Sequence, residues 1–128
     1  VISEAKNADL IGKWLRHIQS EETEEAFVFL VGRSAALVGY ECFPEAKGDV
    51  RDFRFYRDGT REQPFAFIVN RKWLLFYFRA PAVQGGAYGF KHLQAEFDSA
   101  AENTAGEWTV KIRSLCDAKR LWRLLALQ

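Results

Sequence analysis

Between positions 53 and 79 aromatic side chains are interleaved with arginines, a mixture able to bind an aromatic or anionic ligand. Side chains alternate across an extended chain. If residues 65–70 and 73–79 are two strands turned at Asn70-Arg71, one face of the hairpin carries Phe65, Phe67, Val69, Leu74, Phe76 and Phe78. That face is wholly apolar and is expected to be core. The opposite face carries Ala66, Ile68, Trp73, Leu75, Tyr77 and Arg79, and a preceding strand adds Arg54 and Tyr56. Aromatic rings offer stacking platforms for bases, and guanidinium groups hold phosphate. Lys111 and Arg113, projecting outward from a later strand, extend the set as phosphate contacts. The expected nucleic-acid contacts are therefore Arg54, Tyr56, Trp73, Tyr77, Arg79, Lys111 and Arg113. The competing reading is that a helix covers this face and its Trp and Tyr are the amphipathic margin of a core.

Other chemistries find less support. Many metal-dependent nucleases share the order α-β-β-β-α-β, but they need a carboxylate on the second strand and an acid two residues before a Lys on the third. The corresponding segments, Phe65-Ala66-Phe67-Ile68-Val69 and Trp73-Leu74-Leu75-Phe76-Tyr77-Phe78, contain no carboxylate. The two histidines, His17 and His92, lie far apart in sequence and read as helix-surface residues. Gly85-Gly86-Ala87-Tyr88-Gly89 precedes a helix, yet it lacks the Lys-Ser/Thr ending of a P-loop and the dinucleotide-binding spacing. Cys42 and Cys116 match no zinc pattern and are too few for a disulfide framework; they read as thiols in a reducing compartment. No catalytic residue, metal ligand or cofactor is expected.

The elements that must position the aromatic face follow from periodicity. Leu10, Ile11, Trp14, Leu15 and Ile18 form a helical stripe over residues 9–19. Ser20 opens a second helix whose first turns hold Glu21, Glu22, Glu24 and Glu25, carboxylates that suit a helix N-terminus; Gly39 is its expected stop. Residues 40–49, with Pro44 and Gly48, read as a loop. The period changes to two from Val50, and Asp58-Gly59 turns the chain. After the 65–79 hairpin, Pro81 and three glycines mark residues 80–90 as the most flexible connection. A helix follows over 90–100, a strand over 107–113, and a last helix that Ser114 and Asp117 open as a capping box. The order α-α-β-β-β-α-β-α predicts an α+β domain spanning residues 1–128, with one mainly antiparallel sheet of about four strands and flanking helices.

Composition sets the outer limits. With 128 residues, 48% hydrophobic and 27% charged, the chain can bury a core without staples. No apolar run approaches the ~20 residues of a membrane span, and no signal peptide is visible; a cytoplasmic location without membrane contact is expected. There is no Met, even at position 1, as in a chain whose initiator was removed or one cut from a longer protein. Net charge is +1 but unevenly placed: residues 1–49 hold five basic and nine acidic side chains, net −4, and residues 50–128 hold thirteen and eight, net +5. Residues 50–80 alone hold seven basic groups (Arg51, Arg54, Arg57, Arg61, Arg71, Lys72 and Arg79) against Asp52, Asp58 and Glu62. Such a concentration suits an anionic partner.

Two stretches carry a resemblance to a known family. Phe65-Ala66-Phe67-Ile68, a turn and Leu74-Leu75-Phe76-Tyr77-Phe78, followed by Trp108-Thr109-Val110-Lys111-Ile112-Arg113 running into the helix at Asp117, resemble the small YdhG/YjbR-type α+β domains over about half of the chain. The likeness is a pattern of strands. It implies an α+β fold found alone or appended to larger proteins, DNA-modifying and DNA-cutting ones among them, and it supplies no catalytic residue. The expectation is a non-enzymatic accessory domain that binds DNA or RNA through its aromatic, arginine-rich sheet face. The alternative is a protein-interaction or dimerisation module, in which the same face meets a second copy or a partner domain.

Overall fold

The computed structural model describes residues 5–127; residues 1–4 and 128, the ends of the expected domain, lie outside them. The chain forms α1 (Ala5–His17), α2 (Glu21–Ala36), β1 (Tyr40–Lys47), β2 (Val50–Arg57), β3 (Phe65–Val69), β4 (Leu74–Phe78), α3 (Ala80–Gln84), α4 (Phe90–Glu96), β5 (Ala101–Glu102), β6 (Trp108–Ile112) and α5 (Leu115–Leu125). The α+β class holds. The expected four strands and their order do not: among the described residues there are six strands in one antiparallel sheet, ordered β1-β2-β3-β4-β6-β5.

The main correction is β1, the segment read as a loop. Pro44 removes a ladder donor, which disqualifies a central strand but not an edge, and β1 is an edge. Cys42 and Pro44 turn inward while Glu41, Phe43 and Glu45 alternate outward. Lys47 pairs with Val50, so Gly48-Asp49 is a two-residue hairpin loop. Gly48 stands at its first central position with φ +58°, as a type II′ turn requires. The second correction concerns the next hairpin. Val69 pairs with Leu74 and the Asn70 N–H donates to the Trp73 carbonyl at 3.1 Å, so the turn residues are Arg71-Lys72 rather than Asn70-Arg71. The remaining differences are short: α3 occupies part of the connection expected to be flexible, α4 ends at Glu96, and β5 adds two residues to an edge.

The core lies on one face of the sheet. Phe53, Phe55, Phe65, Phe67, Phe76 and Phe78 are all at most 1% exposed and form a lattice of ring contacts with centroids 4.9–6.4 Å apart. Trp14 of α1, Ile18 just after it, Phe27 and Leu30 of α2, Ala82 of α3, Leu93 of α4, and Leu121 and Leu125 of α5 join the same buried cluster. The helices thus pack on that single face, and the periodic stripes in their sequences are what they bury. Ser20 caps α2 by accepting from the Thr23 N–H at 3.4 Å, and Ser114 caps α5 by accepting from the Asp117 N–H at 3.1 Å, the two N-terminal signals read from the sequence.

Candidate functional site

The second sheet face, which carries Arg54, Tyr56, Ile68, Leu75, Tyr77 and Lys111, is half-buried along its length. None of these side chains belongs to the buried core cluster. The face is closed in part by its own side chains. Arg54 lies between two carboxylates, with Nε 2.7 Å from Asp52 Oδ2 and 2.9 Å from Glu45 Oε2, and only 13% of its side chain is exposed. Burial works against its charge, but hydrogen bonds to Tyr56 and Asp52 and the charges of Asp52 and Glu45 outweigh it and raise the pKa. The Tyr56 ring stacks on Phe43, centroids 5.0 Å apart and planes within 9°. Tyr77 is half-buried; desolvation, with Glu107 and Asp52 nearby, pushes its hydroxyl pKa up. Arg79 holds Glu107 Oε2 at 2.9 Å through Nε and Gln63 Oε1 at 3.0 Å through a terminal nitrogen.

The seven expected contact residues therefore do not converge on one place. Arg54 and Tyr56 are engaged near the middle of the β1–β2 side. Tyr77 and Arg79 belong to the end of the sheet where β4 finishes. Trp73, Lys111 and Arg113 gather at the opposite end: Leu74 pairs with Ile112, which sets Trp73 beside Arg113, and Lys111 Nζ lies 4.9 Å from the Trp73 ring centroid.

That opposite end is built by four pieces of chain. The α1–α2 linker reaches the β3–β4 turn, where the Gln19 N–H donates to the Arg71 carbonyl at 2.7 Å. Thr23, fully buried at the start of α2, shares its hydroxyl proton between the Lys72 carbonyl at 2.9 Å and the Arg113 carbonyl at 3.1 Å. One hydroxyl thus ties the β3–β4 turn to the end of β6. Beside it open two concavities of about 440 and 500 Å3 that share His17 and Arg51. Together they form a trough from α1 to the β3–β4 turn. Its walls bear Lys13, Arg16, His17, Arg51, Arg71 and Lys72, its carboxylate is Asp49, and Trp73 lines the end near the turn.

Cations outnumber carboxylates in this trough, and among the described residues none of them makes an ion pair. Among the described residues the ion pairs involve Arg54, Arg57, Arg79 and Arg120, and no carboxylate pairs with Lys13, Arg16, Arg51, Arg71, Lys72 or Arg113. Arg51 donates to the Asp49 backbone carbonyl, at 2.6 Å. His17 registers the field: burial first, then Arg51 and Arg71, lowers its pKa. Arg16 and His17 also occupy the last turn of α1, whose dipole favours cations there. Arg51, Arg71 and Lys72 fall in the basic segment visible in the sequence, whereas nothing in the helical stripe of residues 9–19 marks Lys13, Arg16 and His17 as partners of that segment. Placing the turn by the symmetric apolar pairing of Val69 with Leu74 would have exposed Arg71-Lys72 as its tip.

Two other sites were candidates. A groove of about 580 Å3 between α1, α2 and α5 is lined by Leu15, Val28, Phe29 and Leu115 with Glu21, Glu24 and Glu25 at its margin; its acids repel anions. Cys42 is buried, and desolvation pushes its thiol up to about 12, which leaves it an inert protonated group. Among the described residues no three His, Cys, Asp or Glu side chains are grouped to hold a metal ion, and no helix is long and apolar enough to cross a membrane. Compared with known proteins, the chain matches no family model, no curated protein and no solved structure.

Proposed function

We propose that the protein is a non-enzymatic nucleic-acid-binding accessory domain and that the trough at the β3–β4 turn is its contact surface. One observation carries the reading. Five permanent cations without carboxylate partners among the described residues line one open trough, while Arg54, Arg57 and Arg79 are paired with carboxylates. Unpaired, exposed cations are self-repelling in the free protein, and a polyanion relieves that repulsion while releasing its own counterions. The likeness of the strands from Phe65 onward to YdhG/YjbR-type domains agrees with an accessory role. A dimerisation surface would use the apolar groove of Leu15, Val28, Phe29 and Leu115 rather than the aromatic sheet face, where among the described residues no large hydrophobic is fully exposed. The reading includes a cytoplasmic location, where unbridged thiols such as Cys42 and Cys116 persist.

Fluorescence anisotropy with short labelled oligonucleotides tests this. Binding at low salt should weaken steeply as salt rises, with log K falling by about 0.7–0.9 per phosphate neutralised in a plot against log salt. Absence of binding to both single- and double-stranded probes at low salt overturns the proposal.

A further inference from the structure

We infer, resting on the nucleic-acid reading above, that the occupant of the trough is a single strand, with one base stacked on Trp73 and the neighbouring phosphates held by Arg51, Arg71 and Lys72. Shape is the first argument. A duplex is read by an element that projects into its groove, an α-helix or a two-stranded β-ribbon. The β3–β4 tip cannot serve as such a ribbon. Both strands are central, flanked by β2 and β6, and the turn is tied back to the α1–α2 linker at the Arg71 carbonyl and to Thr23 at the Lys72 carbonyl. The cations surround a concavity of about 500 Å3, the size that receives one small ligand-sized unit, so a nucleotide fits where a paired helix does not.

Trp73 is the second argument. It stands just outside β4, on the side of the hairpin away from the phenylalanine core, and it is half-buried rather than packed into that core. The Lys111 ammonium sits against its ring at 4.9 Å, while the Lys111 backbone is itself anchored, its N–H donating to Ser99 Oγ at 2.9 Å. The indole is thereby oriented before any ligand arrives, which lowers the ordering cost of stacking, and it lines the same concavity as Arg51, Arg71 and Lys72. Aromatic ring beside unpaired cations is the combination that single-strand binders use.

The test compares three labelled probes of equal length, about 12 nucleotides and so within the usual site range for single strands: oligothymidine, the same strand in a duplex with oligoadenine, and an abasic phosphodiester strand. Oligothymidine should bind at least about tenfold tighter than the duplex. Trp73→Ala should weaken oligothymidine binding by about 5- to 150-fold and leave abasic-strand binding unchanged, whereas Trp73→Phe, which keeps a ring, should retain most of the affinity. Denaturant melts of both variants confirm that they are folded. Duplex binding as tight as single-strand binding overturns the inference. So does unchanged oligothymidine affinity in Trp73→Ala and Trp73→Phe while Arg71→Ala weakens it; in that case the anion-binding reading stands and the stacking site falls. No binding to any probe overturns both.

Discussion

The two ends of the sheet hold similar residues and treat them differently. At the end where β2 and β4 finish, Arg57 meets Glu62 at 2.6 Å and Arg79 meets Glu107 at 2.9 Å. At the end where β3 turns into β4, Arg51, Arg71, Lys72 and Arg113 have no carboxylate partner among the described residues, and α1 delivers Lys13, Arg16 and His17 to the same place. A paired surface arginine contributes little to stability, up to about 1 kcal/mol, but it is spent: an incoming phosphate must displace a carboxylate. An unpaired one is available. The difference teaches that basic composition locates no site until the acids are located too.

Three perturbations break or sharpen this contrast. The largest effect belongs to the layer that joins both ends. Phe76 is fully buried, with four other phenylalanine rings around it. Phe76→Ala should cost about 3–5 kcal/mol in denaturant melts and loosen both ends together. Protection from hydrogen exchange lost at one end alone would mean that the ends fold as separate units.

Thr23→Val comes next and acts on one end only. It keeps the side-chain shape but withdraws the donor from the Lys72 and Arg113 carbonyls, an expected loss of about 1–3 kcal/mol. Hydrogen exchange should quicken around the β3–β4 turn and the end of β6 and stay unchanged at Arg57 and Arg79. An unchanged melting curve would show that this hydroxyl does not hold the trough.

The smallest effect is the pH response of His17, whose pKa is lowered by burial and then by Arg51 and Arg71. Between its folded value and the usual 6.5, the unfolded chain binds more protons than the folded one. His17 therefore costs the free protein nothing above that range, and stability declines as pH falls through it. A bound polyanion offsets the cationic field and raises the same pKa, so oligonucleotide affinity should increase as pH drops below about 6.5. His17→Gln should flatten both trends; affinity independent of pH in the wild type would place His17 away from the ligand.

How much of this was legible differs between core and site. The hairpin faces were readable because phenylalanines recur at every second position, Phe65 and Phe67 on one strand and Phe76 and Phe78 on the other, so one face collects the large rings. The Ser20 and Ser114 caps were readable because their hydroxyls act locally. β1 was not, because Pro44 signals a break unless the strand is known to lie at an edge, and edge position is a property of the assembled sheet. The candidate site was half legible. The placement of Trp73 and Lys111 on the face away from the phenylalanines was legible from alternation, whereas His17 and Arg16 reach the trough because α1 packs beside the β1–β2 hairpin. The neutralisation of Arg54 by Glu45 depends on the β1–β2 register, which a sequence read with a loop at 40–49 does not contain.

The most direct measurement is the salt dependence of single-strand binding in two charge-removal variants. One removes Arg51, Arg71 and Lys72; the other removes Arg57 and Arg79. Each replaces exposed or half-exposed cations with Ala, so both should fold. The first variant should lose most of its affinity, and its log K against log salt slope should become shallower by about 2, from three phosphate contacts at ~0.7 each, while the second keeps the wild-type affinity and slope. Equal losses in both variants, or a loss confined to the second, would contradict this expectation.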